Sequence, residues 1–157
     1  MKKYMISSIV YACLAAVFGV LFRELTKFSS FTGDTVLATV HPHYFMLGMI
    51  FFLILLIMEK VFSFSDKKTN ITLIIYHVGL NLTCLMLFVR GVLEVFVDDI
   101  SSTTSNIVAG FAGIGHVILG VSLITLLVLI FINIFKKNKE KKAEVKATEE
   151  TKTEESK

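Results

Sequence analysis

Four long stretches with very few charged residues set the terms for this chain. They run from Tyr4 to Phe22, from His41 to Met58, from Ile71 to Val97 and from Asn106 to Phe135. About 20 apolar residues wound as a helix cross the ~30 Å hydrocarbon core of a bilayer. In lipid only helices and closed barrels satisfy their own backbone, and these runs lack the alternation of barrel strands. The expected fold is all-α, an integral membrane four-helix bundle over residues 1–135 with spans at about 4–22, 41–58, 71–97 and 106–135.

Composition supports this. A hydrophobic share of 54% in 157 residues is too high for a soluble domain of this size. Charge is also segregated, since the residues from Lys136 onward hold eight of the sixteen Lys and Arg. The net charge of +3 therefore describes a basic membrane edge and tail. No basic–aromatic pattern points to nucleic acid. Residues 136–157 are rich in Lys, Glu and Thr and have almost nothing to bury. They are expected to be a disordered, charged cytoplasmic tail able to lie on anionic lipid.

Lys2, Lys3, Lys60, Lys67, Lys68 and the tail fall on one side of the bilayer, with Arg23, Lys27 and Arg90 on the other. Basic residues mark the cytoplasmic side, so both termini are expected in the cytoplasm. The first run is longer than a signal-peptide core and shows no clear processing site, which predicts a retained span. Cys13 and Cys84 lie within apolar runs and read as small buried hydrophobes rather than a disulfide.

All four histidines sit in or at the edge of a span. Ionisable groups there are costly and mark functional sites. Ala109, Ala112, Gly113, His116 and Gly120 share one face of the fourth span. Small residues around an imidazole leave room for a flat, wide ligand such as haem b, or let two helices pack closely. His41 and His43 flank Pro42 and point about 200° apart on a regular helix, so either can be the inward one. His116 lies roughly 15 Å below Asn106, within an imidazole's reach of the second span. His77, which shares a stripe with Asn81, Cys84 and Phe88, is a weaker candidate. Arg90 and Glu94 are spaced as an i,i+4 ion pair. Alternatively Arg90, with Arg23 or Lys27, holds haem propionates. A copper site on His41, His43, His116, Met46 and Met49 is the competing metal reading, since imidazole and thioether both bind Cu(I). No serine has a plausible base, no phosphate loop is present and no carboxylates pair, so no independent enzymatic activity is expected.

Phe22-Arg23-Glu24-Leu25-Thr26-Lys27, Phe31-Thr32-Gly33, His41-x-His43 with Leu47-Gly48, Glu59-Lys60, Arg90-Gly91 and Ala112-Gly113-Ile114-Gly115-His116 occur in order. This set resembles a bacterial four-span membrane family, domain of unknown function 2871, over residues 1–135. The resemblance implies a multi-pass protein of the bacterial plasma membrane and implies no activity. His41-x-His43 with Leu47-Gly48 also resembles, over about ten residues, the haem-ligating helix of haem-copper oxidase and nitric oxide reductase catalytic subunits. Their other helices and copper-site histidines are missing here. The functional expectation is a haem-b protein for electron transfer, haem handling or gas and redox sensing. The alternatives are a copper transporter or binding protein and an accessory protein without cofactor. Its expected partners are the lipid bilayer and either a second copy or a membrane redox protein.

Overall fold

The computed structural model describes residues 1–155, among which there is helix and no strand. Four helices follow one another: α1 (Lys2–Phe28), α2 (Val36–Phe62), α3 (Lys67–Phe96) and α4 (Ser102–Glu155). All four are long and apolar enough to cross a membrane. Ile6, Val20, Ile57, Ile74, Val117 and Phe131 are each at least 60% exposed. So many bare apolar side chains on helices of this length belong to a lipid-facing surface.

Local chemistry sets the helix boundaries. Asp66 caps α3, its carboxylate accepting from the Thr69 amide at 2.7 Å and the Thr69 hydroxyl at 2.5 Å. The Thr69 side-chain and backbone hydrogen bonds hold the Asp66 carboxyl below its ordinary 3.8. Ser63, at φ 48°, ends α2 in the left-handed region. Thr35 caps the start of α2, its hydroxyl accepting from the Leu37 amide at 3.2 Å. The Glu94 carboxylate accepts from the Val36 amide at 2.9 Å. These caps start α2 five residues before His41, so Pro42 stands inside the helix rather than in its first turn.

The central part of α2 is irregular. A 3-10 turn over Val36–Thr39 and one α-turn over Val40–His43 lead into a π-helical stretch, Tyr44–Ile50, before the α-helix resumes at Phe51–Phe62. Pro42 cannot donate to the ladder, and widened turns leave backbone carbonyls in need of donors. Neighbouring helices supply them. The Tyr76 hydroxyl donates to the Leu47 carbonyl at 2.7 Å, and the Ser8 hydroxyl donates to the Met49 carbonyl at 3.0 Å.

Packing follows chain order, with α1 against α2 and α3 against α4. The α3–α4 approach is close enough to demand glycine. A Cβ on Gly79 would stand 2.6 Å from the Leu119 nitrogen, and one on Gly115 would stand 2.9 Å from the Thr83 nitrogen. At one end of the bundle the Asn133 amide donates to the Phe64 carbonyl at 2.9 Å, tying α4 to the α2–α3 connection. Beyond Phe135 the chain remains helical to Glu155, where the sequence points to a disordered tail. Lys and Glu dominate this stretch and favour the helix.

Candidate histidine-pair site between α2 and α4

Because α2 starts at Val36, His43 lies about 10 Å along it, level with a histidine the sequence places deeper. The His43 and His116 rings stand 6.3 Å apart, centre to centre, at an interplanar angle of 89°. In both, Nδ1 meets the carbonyl four residues back: Thr39 at 2.7 Å for His43 and Ala112 at 2.8 Å for His116. A carbonyl only accepts, so Nδ1 carries the proton in each ring and Nε2 is left with a lone pair. Histidines that bind metals are held by the same kind of second bond, which fixes the tautomer and the ring orientation.

The separation also has a meaning. Two metal–imidazole bonds of about 2.0 Å in line, plus roughly 1.1 Å from each nitrogen to its ring centre, give about 6.2 Å. The observed 6.3 Å between ring centres is close to that length. Around His116 the helix surface is bare, and a Cβ added to Gly110, Gly113 or Gly120 would meet nothing within 4 Å. Gly115, by contrast, is the residue that packs on α3. The stripe of Gly113 and Gly120 thus gives open space beside His116, while Gly115, off that stripe, makes the helix contact.

His41 points elsewhere. Its ring lies near Gly19 of α1, and its Nδ1 is buried without a hydrogen-bond partner. The Pro42 turn therefore sends His41 toward α1 and His43 toward α4.

A family model for a protein of unknown function, DUF2871, matches residues 1–133. The chain belongs to this family. No curated protein and no solved structure matches it. The match covers all four spans of this DUF2871 protein and ends where the Lys-rich extension begins.

His77 and Arg90 of this DUF2871 chain are engaged with other side chains. The Tyr11 hydroxyl and His77 Nδ1 lie 2.5 Å apart, while Ser7 is 3.5 Å from Nε2. Asn81 donates to the Tyr11 oxygen at 3.0 Å, and the Tyr44 hydroxyl donates to the Asn81 carbonyl oxygen at 3.2 Å. Tyr11 and Tyr44 escaped the sequence reading, although a tyrosine inside an apolar run needs a partner for its hydroxyl. Arg90 pairs with Glu94 at 2.9 Å and reaches the Ser105 hydroxyl at 3.3 Å. It joins the start of α2, through Glu94, to the start of α4. Met46 is exposed on the π-helical stretch and Met49 is half-buried. Cys13 is exposed and Cys84 buried, and both are free thiols. Among the described residues no three His, Cys, Asp or Glu side chains converge as a metal-binding group.

Proposed function

We propose that this chain is a haem-b membrane protein that carries electrons, with His43 and His116 as the residues that would hold the haem. The carrying observation is their pairing at 6.3 Å, each with Nδ1 on a helix carbonyl and Nε2 free. Two histidines suffice for haem, because the macrocycle supplies the other four nitrogens. A copper ion would draw on the same two imidazoles, which no third His, Cys, Asp or Glu joins among the described residues. The bare surface at Gly113 and Gly120 gives a flat ring room beside His116.

The four-span part would hold and orient the group. Thr39 and Ala112 fix the two imidazoles by accepting their Nδ1 protons, and the apolar walls of α2 and α4 exclude water. Bound there, haem would supply one-electron redox chemistry, its potential set by the two imidazoles and by burial. Both imidazoles would be engaged in holding the group, which favours electron transfer over gas sensing. The lysine distribution supports a multi-pass arrangement in a bacterial plasma membrane with both termini cytoplasmic.

The test is an absorption spectrum of the detergent-purified protein, oxidised and then dithionite-reduced. Sharp low-spin bands are expected, present in His41→Ala and absent in His43→Ala and in His116→Ala. A featureless spectrum after expression with ample haem would overturn the proposal.

A further inference from the structure

Away from the histidine pair, a crevice of about 300 Å³ opens between the first turns of α1 and α3. Its polar groups stand at its two ends. Lys3 and Asn70 form the mouth, where the Lys3 ammonium donates to the Asn70 carbonyl oxygen. Ser7 and His77 form the floor, with Leu73, Ile74 and the buried ring of Phe52 between. Asn70 and His77 are seven residues apart on one face of α3, which separates the two ends by about 10 Å along the axis.

The hydrogen bonds decide what the floor offers. Asn81 donates to the Tyr11 oxygen, so the Tyr11 hydroxyl keeps its own proton for His77 Nδ1. His77 is then an Nε2–H donor, and that nitrogen has only Ser7 nearby, at 3.5 Å. A bond that long leaves the donor open to a better acceptor. The floor ring is also flanked by aromatic rings, Phe52 at 4.7 Å and 15° and Tyr11 at 5.5 Å and 19°. The mouth supplies further donors from Lys3 and Asn70.

We infer that this crevice binds the headgroup of a lipid-soluble para-quinone. The carbonyl oxygens of such a ring lie about 5 Å apart, and a hydrogen bond of about 2.9 Å at each end extends the reach to about 11 Å. That length is close to the ~10 Å rise along α3 between the residues that carry the floor and mouth donors. The apolar middle takes the ring, and the prenyl tail leaves sideways over the exposed Ile74, which is 64% accessible. The inference stands on the crevice alone and does not need haem to be bound.

The test is equilibrium binding of decylubiquinone to the full-length protein in nanodiscs, with empty nanodiscs as the blank. Saturable binding is expected, at least tenfold weaker in His77→Leu and in Ile74→Trp, and unchanged in His116→Ala. Ile74→Trp fills the crevice from the lipid side without touching the core, so it separates loss of the site from loss of fold. Uptake equal to that of empty nanodiscs, or equal affinity in the wild type and Ile74→Trp, would overturn the inference. A haem spectrum without quinone binding would sink this site alone, and quinone binding without a haem spectrum would sink only the cofactor reading.

Discussion

Two groups of polar side chains lie inside this bundle, and they are built in opposite ways. In the cluster of Tyr11, His77, Asn81 and Tyr44, bonds of 2.5 to 3.2 Å link the side chains one to the next. In the His43–His116 pair, each ring spends one nitrogen on its own helix and leaves the other uncommitted. The cluster joins α1, α2 and α3, whereas the pair spans a gap between helices that scarcely touch. An intramembrane histidine is therefore not informative by depth alone. What separates His77 from the pair is where Nδ1 bonds: to a hydroxyl of another helix in His77, and to the carbonyl four residues back on its own helix in His43 and His116.

The comparison breaks most visibly at the pair. His43→Ala and His116→Ala should each abolish the low-spin haem spectrum, while His77→Ala should retain it at lowered protein stability. Equal loss in all three variants would erase the distinction. The next effect is steric. Gly79→Val should push α3 from α4 and cost about 2 kcal/mol or more of overpacking strain, whereas Gly110→Ala, which meets open space, should be neutral or better. Unfolding in mixed micelles measures both. Tyr11→Phe removes the hydroxyl shared by His77 and Asn81 and should cost about 1 kcal/mol in the same assay, leaving the spectrum of the pair unmoved.

The smallest effect lies outside the membrane, at the α3 cap. Asp66→Ala should cost about 1 kcal/mol at neutral pH. The folded state holds this carboxyl below its ordinary 3.8, so its contribution is present above that value. It is lost as pH falls through the folded pKa. The wild type and the variant should therefore converge in strong acid, and a gap that persists there would refute the assignment.

Much of the fold was legible because bilayer thickness and segregated charge leave few choices for four such runs. The site was legible in part. Small residues around His116 marked it as a candidate, and the second span offered two partners of equal standing. The choice of His43 depended on where α2 begins and on the turns around Pro42. That start is set by Thr35 and by Glu94, the latter 58 residues away from Val36. No local pattern reports such a contact. The sequence likewise paired Arg90 with Glu94 but could not show that Glu94 also holds the Val36 amide. His77 stood as a weaker candidate ligand because its partners, Tyr11 and Ser7, sit on another span.

The gap between α2 and α4 has a kinetic side. Helix α4 leans on α3 and scarcely touches α2, and a Cβ on Gly113 or Gly120 would meet nothing within 4 Å, which on the proposed reading leaves a lateral route to His116 from the lipid. On the proposed reading the cofactor would load sideways out of the acyl-chain phase. Its rate of capture would then follow partitioning into the membrane and the fluidity of the surrounding lipid, more than the concentration in water.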